Sequence, residues 1–477
     1  SPGETPPGAG PALGGAKLAA LARAGFLDEA RTIASLSGAP ASHPLVAEAL
    51  ATVDLNEGMI DSACRRAGNI ASGRQEPFWI KLRLVCYSAA GERDAADLTF
   101  GLLRDRGLLS DADEALFNAV IANAAPKTPV APENALHLAA ARLSKQPLGP
   151  GLLAAADGGV LKGLASDASQ SAATRVASAW GAAAAGAMSA ADLAALYASL
   201  PAEPGAIAAA AGRAETHADD PLTDVLLYKS VAQMSAPEFL RDKAARIADA
   251  LAVADSFPRA YAASLVYAAD IRALDGALVT PTEAARFAEA RMAIGDGAGA
   301  ARWLSAMLGS GGFSALPEDE AMAFIALADL LSALDPEGAS GLAERAGVAL
   351  GAAPAPSPAG ASPDPERFAG VVEAAFDAAL RGVPGESGLA ALVASDAAPP
   401  GDPVGDVIVG QSLRAAGLDG LRARLRFEAA WRARFAAAPA AAAPASAPTA
   451  GPETPAASSP APAQRGLTPR LKPRSIP

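Results

Sequence analysis

GFLDEA at residues 25–30 returns as GMIDSA at residues 58–63 and as GERDAA at residues 91–96, so the sequence repeats the pattern Gly-x-x-Asp-x-Ala. Gly25, Gly58 and Gly91 are 33 residues apart in both intervals. Glycine commonly ends a helix because it adopts the left-handed backbone conformation, and an acidic residue suits the first turn of the next helix. A constant interval of this length indicates a helical repeat protein, in which each unit is a pair of antiparallel helices.

The composition also favours helices. Hydrophobic residues make up 51% of the 477 residues but aromatic residues only 5%, so alanine and leucine dominate the apolar content. Alanine has the best helix propensity, whereas strands are enriched in β-branched and aromatic residues. The sequence therefore predicts an all-α protein.

The three turns resemble those of tetratricopeptide repeats. In that family a glycine closes the first helix, an acidic residue follows, and a small alanine starts the packing of the second helix. The matching residues here are Gly25, Asp28, Ala30, Gly58, Asp61, Ala63, Gly91, Asp94 and Ala96. The family's Trp-Leu-Gly opening and terminal proline are mostly missing, so these repeats are divergent, and the match covers residues 14–107. The resemblance implies a superhelical solenoid of helix hairpins.

Breaks rich in proline and glycine divide the remaining sequence. We predict tetratricopeptide-like repeats over residues 14–125, alanine-rich helical repeats over 126–236, a second helical array over 237–351, a linker over 352–365 and C-terminal helices over 366–435. Capping patterns predict helix starts near Ser110, Pro132, Ser189 and Thr280. The central block from Gly151 to Ala211 has few large side chains, so its helices either pack unusually close or are held loosely.

Both ends of the chain are poor in large apolar residues. Residues 1–13 are rich in proline and glycine, and residues 436–477 are rich in alanine, proline and serine, so we predict disorder in both. The second segment ends in a basic stretch that includes Arg465, Arg470, Lys472 and Arg474. This stretch is either a solvated tail or a linear motif that docks on an acidic partner. The sequence begins at Ser1, which fits both a removed leader and a fragment.

Cys64 and Cys86 are the two cysteines of the chain. They lie at equal distances from the turn predicted at residues 72–76, so on two antiparallel helices they stand at nearly the same height. Equal height permits a disulfide if both side chains face the partner helix. We favour this disulfide, in an oxidising compartment, over two buried free thiols.

No motif points to catalysis, a cofactor or a metal. Two thiols without a neighbouring histidine supply too few ligands for a metal, and their spacing is not that of a redox motif. His43, His137 and His217 are scattered and have no consistent acidic or cysteine neighbours in the sequence, so we expect surface or cap-adjacent histidines. The net charge of −12 argues against nucleic acid as a partner, and no apolar run is long enough to span a membrane.

These features favour a noncatalytic scaffold whose partners are other proteins of a larger assembly, which would also set its oligomeric state. The chain resembles exported alanine-rich helical proteins of some alphaproteobacteria, which implies the periplasm of a bacterium and, by analogy of fold, a component of a flagellar motor or similar envelope machine. Two alternatives stay open: a chaperone or binding module for exported proteins, and the helical accessory part of a cell-wall enzyme. A chaperone would expose a groove of aromatic or asparagine-rich positions.

Overall fold

The structure is a computed structural model that describes residues 10–36, 43–350, 409–410, 412–414 and 417–437. No strand occurs in these residues, which confirms the all-α class. The first part of the chain forms α1 Gly10–Ala24, α2 Leu27–Leu36, α3 Pro44–Asn56, α4 Ile60–Asn69, α5 Pro77–Ala89, α6 Arg93–Asp105, α7 Asp111–Ile121 and α8 Ala135–Leu143. The central part forms α9 Gly158–Ser166, α10 Ala172–Ala184, α11 Ala190–Ser199, α12 Pro204–Ala208, α13 Ala210–Thr216 and α14 Pro221–Gln233.

The last part continues in the same way. It comprises α15 Leu240–Ala252, α16 Phe257–Val266, α17 Ala268–Ala273, α18 Pro281–Ala293, α19 Gly297–Leu308, α20 Glu318–Leu334, α21 Pro336–Ala346 and α22 Asp419–Ala437. Short 3-10 turns lie at Pro150–Leu152, Pro237–Phe239, Gly276–Leu278 and Phe313–Ala315. None of the helices described is long and apolar enough to cross a membrane.

The three repeat turns share one backbone geometry. Gly25, Gly58 and Gly91 have positive φ values of 92°, 77° and 77°. The backbone N–H that follows each glycine donates to the carbonyl five residues earlier, over 2.9 Å at Phe26, 2.7 Å at Met59 and 2.8 Å at Glu92. This 6→1 hydrogen bond defines the Schellman ending of a helix. The recurring Gly-x-x-Asp-x-Ala pattern therefore encodes a recurring turn.

The acidic and small residues of the pattern have separate roles. Asp28, Asp61 and Asp94 lie in the first turns of α2, α4 and α6, where their charge suits the positive end of the helix dipole. Ala30, Ala63 and Ala96 are completely buried. A larger side chain at those positions would hold neighbouring helices apart.

Most predicted helix starts are found at or near the expected residues. Ser110, Ser189 and Thr280 each form a capping box. The start predicted near Pro132 lies slightly later, because Asn134 is the residue that caps α8. At the N-terminus α1 begins at Gly10, so the segment predicted as residues 1–13 includes its first turn.

The order of packing departs from a stack of nearest neighbours. In a simple solenoid each repeat contacts the next one only. Here α1 packs on α3 and α3 packs on α4, but α8 contacts α3 and α5, and α9 contacts α1 and α3. From α9 the packing runs through α10, α16, α18 and α20. The tetratricopeptide-like superhelix therefore stays a prediction, while stacked helix pairs are observed.

The helices share a long hydrophobic core that runs from α3 to α22, and a smaller cluster joins α1, α2 and α3. The four tryptophans, Trp79, Trp180, Trp303 and Trp431, are all buried. The structure does not describe the predicted linker at 352–365. Of the predicted C-terminal helices at 366–435, it describes the last helix and the short pieces before it at 409–410 and 412–414. The predicted tail lies outside the described residues beyond residue 437.

Candidate functional site

Cys64 and Cys86 form a disulfide between α4 and α5, with a Cα–Cα distance of 5.6 Å. The prediction of a disulfide is therefore confirmed. The bond joins the second helix of one repeat to the first helix of the next. It fixes the packing of two consecutive repeats and leaves no free thiol among the described residues.

The structure brings two of the three repeat turns to one place. Gly58 lies beside the guanidinium group of Arg142, and Gly25 lies against Gly158 and Ala187. By contrast, nothing approaches Gly91 within 4 Å of the position that a Cβ atom would occupy. The first two turns therefore meet the α8–α10 region, whereas the third faces open space.

A cleft with a volume of about 1070 Å³ opens between these two turns and the ends of α8, α9 and α10. Asp28, Glu57 and Ile60 line it from the repeat side. From the opposite side it is lined by Arg142, Lys145, Gln146, Leu148, Lys162, Asp167 and Ser169. Of the acidic turn residues only Asp28 lies in this lining. The cleft is the candidate functional site.

Arg142 ties the walls of the cleft together. Its Nη1 donates to the carbonyls of Leu55 and Asn56 at the end of α3, over 2.9 and 3.1 Å. Its Nε donates to Asp167 over 3.0 Å, beyond the end of α9. The half-buried guanidinium group thus donates to the Asn56 carbonyl at the end of α3, and it shares the Leu55 carbonyl with the Gly58 N–H. The sequence offered no signal for this residue, because the carbonyls of Leu55 and Asn56 are 87 and 86 residues away from it.

The ion pairs leave few charges of the cleft uncompensated. Burial raises the pKa of Asp167, but hydrogen bonds from Ser169 and the charge of Arg142 outweigh it and hold that pKa below its usual range. Glu57 pairs with Arg31 over 2.5 Å. The ammonium group of Lys162 donates to the Ala187 carbonyl over 2.6 Å. By contrast, the ammonium group of Lys145 forms no hydrogen bond or ion pair with any of the residues that the structure describes.

Lys145 also has an unusual backbone. It follows α8 with φ at 56°, in the left-handed region that glycine occupies at the repeat turns. The Gln146 N–H donates to the Ala141 carbonyl over 2.9 Å, so this helix end has the same 6→1 hydrogen bond as those turns. A lysine therefore stands in a position that favours glycine, at the edge of the cleft.

His137 is cap-adjacent, as expected, but it is not a surface residue. It follows the cap of α8 but is buried, and its Nε2 lies 3.2 Å from Asp113. Lys81 donates to the same carboxylate over 2.8 Å, and Ser110 donates to it from both backbone and side chain. Burial opposes the charge, yet these hydrogen bonds hold the pKa of Asp113 well below its usual range. His43 and His217 lie at helix ends as expected.

A second buried network joins α10, α11, α14 and α16. Arg259 donates to both oxygens of Asp224 and lies 4.9 Å from the Trp180 ring. The Trp180 Nε1–H donates to the Tyr197 hydroxyl over 3.0 Å. Because both charged groups, Arg259 and Asp224, pair with each other in the core, the network holds four helices together rather than presenting groups to a ligand.

Within the described ranges, no group of three or more histidine, cysteine and acidic side chains is arranged to hold a metal ion. The basic tail residues Arg465, Arg470, Lys472 and Arg474 lie outside those ranges. No family model, no curated protein and no solved structure matches this chain. The fold and site therefore define a class only: an all-helical protein of stacked helix pairs with one disulfide-linked junction and a polar cleft.

Proposed function

We propose that this protein is a noncatalytic scaffold that holds other proteins of a larger assembly in an oxidising, exported compartment such as the bacterial periplasm. The observation that carries this proposal is the cleft of about 1070 Å³, lined by helix ends and turns from distant parts of the chain. Its lining combines apolar side chains with exposed polar groups, and concave surfaces of stacked helix pairs suit segments of other proteins. A flagellar motor or a similar envelope machine is one such assembly.

The disulfide supports the proposed compartment, because disulfides persist in oxidising compartments and are rare in the cytosol. The buried networks support a noncatalytic role. Asp113 and Asp224, the acidic residues in those networks, bond to structural partners in the interior and not to the cleft. An enzyme would place such groups where a substrate reaches them.

A chaperone is favoured less. Binding of unfolded chains calls for exposed aromatic side chains, and Trp79, Trp303 and Trp431 are each almost completely buried. Among the large hydrophobic residues that are exposed in the described part of the chain, Phe239 is the aromatic one.

The cleft can be tested by site-specific photo-crosslinking. A photoreactive amino acid at Ala168, in the cleft lining, should crosslink to a defined set of proteins in cells that express the full chain. The same amino acid at the exposed Lys127, between α7 and α8, is the matched control. Reversal of the free charge in Lys145→Glu should remove the crosslinks at Ala168. Equal products at both positions, or products that Lys145→Glu leaves unchanged, would contradict the proposal.

A further inference from the structure

Helix α22 is held on α16 and α18 by a row of aromatic side chains. Phe427, Trp431 and Phe435 follow one another at intervals of four residues and therefore share one face of the helix. The Trp431 ring lies 5.3 Å from the ring of Phe257 on α16, and both Phe427 and Trp431 are almost completely buried. The rings of Phe427 and Trp431 are stacked, with centroids 5.6 Å apart. The contact is thus a helix docked by its aromatic face.

Polar contacts fix the orientation of α22 on α16 and α18. The Trp431 Nε1–H and Arg434 both donate to Glu289 Oε1 on α18, over 2.7 and 2.9 Å. Arg424 donates to the Tyr261 hydroxyl over 2.8 Å. The guanidinium of Arg432 lies 3.9 Å from the Phe257 ring centroid. We call the surface formed by Phe257, Tyr261 and Glu289 the aromatic seat.

The charge of α22 is opposite to that of the whole protein. The helix carries Arg422, Arg424, Arg426, Arg432 and Arg434 but only Asp419 and Glu428 as acidic residues. The net charge of the chain is −12. Attraction between a basic helix and an acidic body raises the rate at which the two meet, whether or not they belong to one chain.

The described contacts do not restrict α22 to its own chain. The hydrogen bonds that join it to α16 and α18 run between side chains. Residues 351–408 lie between α21 and the pieces that precede α22, and a chain of that length reaches roughly 190 Å when extended. Every copy of the protein has both the seat and the helix, so a helix from a second copy would make the same contacts.

We propose that the aromatic seat also accepts α22 from a second copy of this chain, so that exchange of this helix joins copies to one another. Because the contacts are the same within and between chains, the balance depends on concentration. A tethered helix has an effective concentration on the order of millimolar. Exchange therefore increases when copies are crowded together. This inference goes beyond the proposed scaffold function, since it does not involve the cleft or any other protein.

Two complementary full-length variants test the exchange. Glu289→Lys disables the seat by placing a cation opposite Trp431 and Arg434, but it leaves α22 intact. Trp431→Ala disables the helix but leaves the seat intact. In sedimentation experiments each variant alone should stay monomeric, whereas a mixture should form a one-to-one complex. We expect the mixed complex to be at least about tenfold tighter than self-association of either variant.

The control is Arg426→Ala, a substitution at an exposed residue of α22, introduced into the Glu289→Lys chain. This double variant should bind the Trp431→Ala chain as tightly as Glu289→Lys alone does. A labelled peptide of residues 419–437 provides a second measurement that needs only one variant. It should bind the Trp431→Ala chain more tightly than the wild-type chain, whose seat is occupied, and the same peptide with Trp431→Ala should bind neither. A mixture that sediments as the sum of its parts, or a peptide that binds both chains equally, would overturn the exchange.

Discussion

Lys145 shows how a single backbone conformation can set stability against function. Left-handed backbone geometry costs an ordinary residue roughly 1–2 kcal/mol, and the repeat turns avoid that cost by using glycine. Lys145 keeps a side chain at an equivalent helix end and presents its free ammonium to the cleft. Such local strain is a recurring property of functional sites.

Lys145→Gly should therefore increase the free energy of unfolding by about 1 kcal/mol, because it removes the left-handed strain. Asn123→Gly is the matched control. Asn123 has φ at 50° after α7, but asparagine tolerates this conformation better, so its gain should be smaller. Urea denaturation measures both. A loss of stability in Lys145→Gly would show that the lysine side chain is needed for folding and not for the cleft.

Asp157 supplies a prediction about pH. It caps α9 through the Val160 N–H over 2.8 Å, and burial raises its pKa to about 6 in spite of that hydrogen bond. An acid whose pKa is higher in the folded state favours folding when protonated. This contribution is fully present below the unfolded pKa of about 4 and is lost as the pH rises through about 6.

Asp157→Asn keeps the cap but cannot ionise. The stability of the wild-type protein relative to this variant should decrease between pH 4 and pH 7, by about 2 kcal/mol. Thermal or urea unfolding at a series of pH values measures the difference. A constant difference across this range would mean that the Asp157 carboxyl titrates alike in both states.

At the scale of helices, α9 resolves the two possibilities for the alanine-rich centre. Gly158 and Gly159 lie against backbone carbonyls near the end of α1, and Gly163 lies against the Asn56 carbonyl at the end of α3. A Cβ atom at Gly163 would stand only 2.2 Å from that oxygen. This part of the central block therefore packs unusually close, because glycine lets the helix touch neighbouring backbones.

Gly163→Ala should decrease the free energy of unfolding by about 2 kcal/mol, because α9 would have to move away from α3. Gly101→Ala is the control, since Gly101 lies within α6 and a Cβ atom there would meet nothing within 4 Å. That change should stabilise the protein by about 0.5–1 kcal/mol through helix propensity. Equal effects of the two substitutions would contradict the close packing of α9.

The disulfide is the other feature at this scale. Cys64 and Cys86 enclose a loop with a sequence separation of 22, for which chain entropy predicts a contribution of about 3 kcal/mol. The double variant Cys64→Ser and Cys86→Ser should lose that stability. A reducing agent should lower the unfolding midpoint of the wild-type protein and leave the double variant unchanged. Mass spectrometry without reduction, on protein from its native compartment, should show the two cysteines joined.

At the scale of the whole molecule, Arg142 connects the N-terminal repeats to the central helices. Its hydrogen bonds to Leu55 and Asn56 join segments that are far apart in sequence. Such a contact is absent from a stack of nearest neighbours, and it couples the unfolding of the two parts. Arg142 also lines the cleft between these parts.

Arg142→Ala should destabilise the protein by about 2 kcal/mol, because it leaves the Asn56 carbonyl at the end of α3 without its donor. Hydrogen exchange should show residues 10–121 opening independently of α9–α16 in this variant, and together with them in the wild-type protein. Arg83→Ala is the control, because the Arg83 side chain donates an exposed hydrogen bond to the Arg74 carbonyl. This substitution should change neither the stability nor the coupling between the two parts. Unchanged coupling in Arg142→Ala would show that apolar packing alone joins the two parts.

The sequence by itself determined the helical class, the repeat turns, many helix caps and the pairing of the cysteines. Each of these depends on interactions within a helix, a turn or one hairpin, so the residues that cause them are close together in the chain. Gly58 ends its helix for reasons that its neighbours explain.

Only the tertiary structure decided which turns meet α8–α10 and where α22 docks. It also decided that Arg142 bonds to the end of α3, that Lys145 lines the cleft and that His137 is buried beside Asp113. These features join residues that lie tens to more than a hundred positions apart, as the Trp431–Glu289 hydrogen bond does. A regular pattern in one chain does not specify such pairs, because they depend on the shapes that remain after all the helices have packed.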